Sequence, residues 1–184
     1  MRLPFAKKKT SSPASGTHSY KWESEGSRSR IHLRIEPSGE GLLLVDAARS
    51  FHLNPSAAAM AWLYLEGYSV KDAVQWLRRN YRIPASDAIH DYKETSGKVE
   101  ELIRPDGACP IHDLDLEVLQ PFSRTPSAPF RLDLAVTYKC NNDCAHCYNA
   151  RSRDYPEMDT ANWKQVIKIA WEQGIPHIIF TGGE

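Results

Sequence analysis

The chain has 184 residues, 41% of them apolar, and its 23 Lys plus Arg balance 23 Asp plus Glu. The length suits one ordinary domain or two small ones, and the composition is that of a globular chain. A neutral balance gives no general attraction to nucleic acid or to an anionic membrane surface, and no apolar run approaches the roughly 20 residues that span a bilayer. The opening MRLPFAKKKTSSPASG is basic without an apolar stretch behind it, so it does not read as a secretory signal and a cytoplasmic location is expected.

Residues 1–27 are rich in Ser, Lys, Gly and Pro, which predicts a flexible arm. From Arg28 order is expected. Ile31, Leu33 and Ile35 alternate with His32 and Arg34, the period of a half-buried strand, and Pro37-Ser38-Gly39-Glu40 supplies turn chemistry. Leu42 to Val45 reads as a second strand, residues 46–49 as a turn, and Ser50 to Leu53 as a third strand. Asn54 as N-cap and Pro55 at the first helical position open a helix that runs to about Leu65. It is apolar nearly all round, which predicts a central place, and Gly67 ends it. A second helix starts at Ser69, with Val70, Ala73, Val74 and Leu77 on one face. After Pro84 comes a third, with Ser86 as expected N-cap and a stripe of Ile89, Tyr92, Ser96, Val99 and Ile103. Residues 28–104 thus predict a small α+β domain of three strands and three helices, winged-helix-like in outline. Arg78, Arg79 and Arg82 read as a solvated basic face rather than a groove reader.

Residues 105–129, with five prolines, read as a linker in which Leu114, Leu116, Val118 and Leu119 could pack against a neighbour. Residues 130–184 read as strand, helix, strand. Phe130, Leu132, Leu134 and Val136 alternate, and Thr160 can cap a helix with Trp163, Val166, Ile167, Ala170 and Trp171 on one face. Gly174 ends that helix, and Ile178-Ile179-Phe180 leads directly into Thr181-Gly182-Gly183-Glu184. A unit of this length favours parallel pairing.

Three of the four cysteines lie in Cys140-Asn141-Asn142-Asp143-Cys144-Ala145-His146-Cys147, a C-x3-C-x2-C spacing. Thiolates are the natural ligands of iron–sulfur clusters. Three on one loop can hold three irons of a cubane and leave the fourth open to a small molecule. The loop follows a strand expected in a parallel sheet, at the end where barrel folds place chemistry, and the Gly-Gly-Glu run ends the second strand on the same side. Other readings are a zinc site with Cys109 or a histidine as fourth ligand, although only one C-x2-C knuckle is present, and inert buried thiols. Cys109 carries no motif and reads as structural or incidental.

The cysteine spacing and the following Gly182-Gly183-Glu184 closely resemble the radical S-adenosylmethionine (radical SAM) family. The resemblance implies that Cys140, Cys144 and Cys147 ligate a [4Fe–4S] cluster whose open iron chelates S-adenosylmethionine. It also implies that Gly182, Gly183 and Glu184 bind the amino group of that molecule, and that His146 lies against its adenine. One electron from the cluster would then cleave the sulfonium, and the 5′-deoxyadenosyl radical would take a hydrogen from substrate, so an electron donor is an expected partner. Residues 130–184 would be only the first β-α-β unit of a partial (β/α) barrel, which by itself is expected to be inactive. An unfinished sheet of this kind would leave an uncovered apolar face.

Residues 28–104 resemble the PqqD-like peptide chaperones, or RiPP recognition elements, through Leu42-Leu43-Leu44, the run Phe51-His52-Leu53-Asn54-Pro55-Ser56-Ala57-Ala58, Gly67, and Val70-Lys71-Asp72-Ala73-Val74. That resemblance implies a ribosomal precursor peptide as partner, its leader segment adding as a strand beside Ser50, Phe51, His52 and Leu53. The combined expectation is the amino-terminal part of a radical SAM peptide-modifying enzyme. The alternative is a non-catalytic leader-binding module.

Overall fold

A computed structural model describes residues 13–24, 27–46, 48–104, 125–148 and 156–183. The chain divides into two compact units, Met1–Thr125 and Pro126–Glu184.

The first unit pairs β1 (Gly16–Ser24), β2 (Ser27–Ile35), β3 (Gly41–Val45) and β4 (Arg49–Leu53) in chain order into one antiparallel sheet. The helices α1 (Pro55–Leu65), α2 (Val70–Asn80) and α3 (Ala85–Ile103) follow. Four strands therefore stand where alternation predicts three, and Gly16–Ser24 of the expected arm is β1. Its Ser, Lys and Gly content hides a two-residue period: Tyr20 and Trp22 turn to the core, while Ser19, Lys21 and Glu23 stay exposed. Tyr20 also donates its hydroxyl to Glu66 Oε1 at 2.9 Å, tying this edge strand to the end of α1. Burial, followed by the Glu66 hydrogen bond and charge, pushes the Tyr20 phenol well above its ordinary range.

Ile31, Leu33, Ile35, Leu43 and Val45 share the core with α1. The opposite face is not solvated as the alternation suggests, since Arg34 is 2% exposed and Leu44 2%. Arg34 meets Glu36 at 3.0 Å, so its charge is matched where the aliphatic stem is packed. Gly41 permits close sheet–helix contact, because a Cβ there would stand 2.7 Å from that of Ala58.

α1 is buried nearly all round, as its composition predicts, with Trp62 at its centre against Tyr68 and Trp76. Asn54 caps it by accepting the Ala57 N–H at 2.9 Å, and Gly67 ends it with φ +77°. Replacing Asn54 with alanine should lower stability by about 1 kcal/mol, read as a shifted urea midpoint at unchanged slope. Ser69 caps α2 through the Asp72 N–H, and Arg78 and Arg79 sit in its last turn, favourable to the helix dipole. α3 differs from expectation at its start: Pro84 is the N-cap and Ser86 lies within the helix, its hydroxyl donating to Asp87. Its stripe is shifted too. Ala88 is buried and Ile89 exposed, while Tyr92, Val99 and Ile103 are buried as expected.

The second unit is β5 (Arg131–Thr137), α4 (Thr160–Glu172) and β6 (His177–Gly182), with β5 and β6 paired in parallel. Asp159, not Thr160, caps α4, accepting the Asn162 N–H at 2.7 Å. The core is small, with Ala128, Ala170 and Ile175 packed by Leu132 and Ile178. Two strands cannot cover the whole helical stripe, so Trp163, Val166 and Ile167 are half-buried and Trp171 is 49% exposed. Cys109 and the four apolar residues of the expected linker, Leu114, Leu116, Val118 and Leu119, lie outside the described residues. Among the described residues no helix is long and apolar enough to cross a membrane.

Candidate cluster site at the carboxyl ends of two parallel strands

Parallel pairing brings the exits of β5 and β6 to one end of the sheet, with Thr137 opposite Gly182. The chain leaves β5 through Tyr138 and Lys139 into Cys140, and leaves β6 at Gly182-Gly183. Both glycines are required by the crowding of main chain against main chain. Gly182 has φ +134°, and a Cβ on it would lie 2.0 Å from Thr137 O. A Cβ on Gly183 would lie 2.0 Å from Lys139 O and 2.9 Å from the Cβ of Cys140. The Gly183 N–H donates to Thr137 O at 2.8 Å, so the second strand's exit is bonded to the approach of the cysteine loop.

Within that loop the Cys147 N–H donates to Cys144 O at 3.0 Å, and the Asn142 N–H reaches Cys140 Sγ at 3.4 Å. Among the described residues none of the three cysteines is in a disulfide; Cys144 is exposed and the other two are half-buried. His146 is exposed. Among the described residues no three His, Cys, Asp or Glu side chains gather closely enough to hold a metal ion, so the three sulfurs share one loop without forming a closed ligand set. The donors still fit the group the sequence implies. Three thiols follow a strand end, no disulfide joins them among the described residues, and glycine main chain lies alongside. Glu184 lies outside the described residues.

Sequence reasoning misses five polar side chains here. Thr137 donates its hydroxyl to Glu157, and Lys139 Nζ lies 3.1 Å from the same carboxylate. The Tyr148 hydroxyl and Thr181 Oγ1 are 2.9 Å apart, linking the residue after Cys147 to β6. The Thr137 hydrogen bond, then that of Lys139, holds the Glu157 carboxyl below its ordinary range. These contacts span 18 to 33 residues of chain, so no local spacing announces them.

Residues 134–184 match the family described as Radical SAM superfamily. The match indicates a radical SAM enzyme family. Among curated proteins, the chain is 38% identical over 61 residues to a PqqA peptide cyclase of Gluconobacter oxydans (strain 621H), covering 32% of this chain and 17% of that one. It is 36% identical over 62 residues to the PqqA peptide cyclase of Xanthomonas oryzae pv. oryzae (strain MAFF 311018), covering 33% and 17%. With that of Methylobacterium nodulans the figures are 37% over 62 residues, 33% and 16%. The chain thus spans about a sixth of the length of these relatives. No solved structure gives a significant match.

In the first unit, Ser50, Phe51, His52 and Leu53 lie on β4, the edge of the sheet opposite β1. Phe51 and Leu53 pack on the core, while Ser50 and His52 are exposed. A cavity of about 430 Å³ is lined by Lys71, Val74, Gln75, Arg78 and Arg79, all on the outer surface of α2.

Proposed function

We propose that this chain serves a radical SAM enzyme that modifies a ribosomally made peptide. The reading is carried by a C-x3-C-x2-C loop that leaves one parallel strand beside the Gly182-Gly183 end of its neighbour. Cys140, Cys144 and Cys147 would hold a [4Fe–4S] cluster as thiolates, leaving one iron for the amino and carboxylate groups of S-adenosylmethionine. When bound, the cluster supplies one electron to that molecule, drawn from a separate electron donor. Gly182 and Gly183, lacking side chains, leave main-chain oxygens accessible to its ammonium group, with Glu184 as a further acceptor, and His146 is the ring for its adenine. The peptide substrate class is supported by the matched relatives, whose names describe cyclases of a peptide.

Residues 28–104, with β1 added, would act as a PqqD-like recognition element. A leader peptide adds as a strand to β4, where main-chain bonds give affinity and side-chain pockets give register. An edge strand with Phe51 and Leu53 anchored inward and Ser50 and His52 outward supports this. In a titration of the 184-residue chain with the leader of a precursor encoded beside it, the β4 amide resonances should shift saturably. Unmoved β4 resonances with every neighbouring short open reading frame would contradict the peptide reading. The edge strand is complete without the cysteine loop, which favours a second reading of the first unit as a leader-binding module in its own right. Saturable binding by cluster-free protein that is unchanged on cluster loading is the outcome that supports it.

A further inference from the structure

One carboxylate from a distant stretch grips the chain where it enters the cysteine loop. Glu157 accepts from the Thr137 hydroxyl and lies 3.1 Å from Lys139 Nζ. The Lys139 N–H donates to Thr137 Oγ1 at 3.1 Å, so the same hydroxyl also orders the main chain that precedes Cys140. From the other side, the Gly183 N–H bonds to Thr137 O, and Gly183 lies so near Lys139 O and the Cβ of Cys140 that a side chain there would have no room. The residues before Cys140 are thereby fixed from two directions. Glu157 stands two residues ahead of Asp159, the N-cap of α4, so its own main chain is anchored to a helix. Exposed ion pairs contribute little to stability, so a purely structural role does not account for three polar groups converging on this exit.

We propose that Glu157 is a positioning residue that sets the direction in which the chain enters the loop, and so the place of Cys140 relative to Cys144 and Cys147. The proposal rests on the radical SAM reading of that loop. Glutamine at 157 can still accept from Thr137 but carries no charge for Lys139, whereas alanine loses both contacts.

The test uses the full chain as wild type, Glu157→Ala and Glu157→Gln, each loaded anaerobically with iron and sulfide. Iron release to a chelator, the electron paramagnetic resonance spectrum of the reduced cluster and the thermal midpoint are measured. Removing an outer partner of a metal ligand typically changes metal affinity by 10–100-fold. Glu157→Ala should therefore release iron about tenfold faster, with an altered spectrum and an unchanged thermal midpoint, and Glu157→Gln should fall between it and wild type. Equal release rates and spectra overturn the proposal, as does faster release that merely tracks a lowered thermal midpoint. A wild-type chain that takes up no cluster fails differently, because it removes the radical SAM reading itself and the proposal with it.

Discussion

Replacing Cys144 with alanine is expected to abolish the iron–sulfur chromophore of the anaerobically reconstituted chain. Cys144 is the middle one of the three proposed ligands and the exposed one. It also anchors the turn to the last, through its carbonyl and the Cys147 N–H. Cubane clusters are held by cysteine thiolates, and a site with only three protein ligands has none to spare. Alanine would leave two thiolates on a loop, too few to retain a cluster against chelator. Broad visible absorption and bound iron should fall to background, while the far-ultraviolet circular dichroism of the first unit should be unchanged, since Cys144 belongs to the second. Retention of wild-type iron by Cys144→Ala would remove the proposed ligand set. Zinc uptake in place of iron by wild type would favour the other metal chemistry open to three thiols.

The second large effect is expected from Gly182→Ala. The position has φ +134°, where a side chain is strained at a cost of about 1–3 kcal/mol. The added Cβ would also stand 2.0 Å from Thr137 O, which is main chain and cannot rotate away. The unit that must absorb this spans residues 126–184, and among its described residues only four apolar side chains are buried, Ala128, Leu134, Ala170 and Ile175. Units of this size are marginal. Parallel pairing at Thr137 and Gly182 should open, and amide hydrogen exchange in β5 and β6 should rise toward the unprotected rate. Cluster loading should fail together with that protection. Slow exchange in β5 and β6 of the alanine variant, with normal loading, would show that the close approach of the two exits is not needed.

The elements legible in the sequence are those whose signals are local. Asn54-Pro55, Ser69 with Asp72, Gly67 and Gly174 mark helix ends by side-chain or backbone chemistry within one turn, and each does so in the structure. Caps are less certain where two candidates adjoin: Asp159 displaces Thr160 because its carboxylate reaches the Asn162 N–H, and Pro84 leaves Ser86 inside α3. β1 escapes because its polar composition outweighs Tyr20 and Trp22, although Glu25-Gly26, set between the paired Ser24 and Ser27, was available as a turn signal. Burial on both faces of β2 and β3 was not legible either. His32 and Arg34 look like solvent-facing positions, and only tertiary packing places Arg34 at 2% exposure.

At the candidate site the cysteines and glycines declare themselves by spacing and order. The grip of Glu157 on Thr137 and Lys139, and of Thr181 on Tyr148, does not. Such contacts exist only once β5 and β6 lie side by side.

The central claim is that three thiolates hold a cluster with one iron left for S-adenosylmethionine. The direct measurement is the electron paramagnetic resonance spectrum of the dithionite-reduced chain before and after that molecule is added. The account predicts a reduced cubane signal in the wild-type chain whose g values shift on addition, and no cluster signal with Gly182→Ala. A cluster spectrum that S-adenosylmethionine leaves unchanged in the wild-type chain, or the absence of any cluster signal, would contradict it.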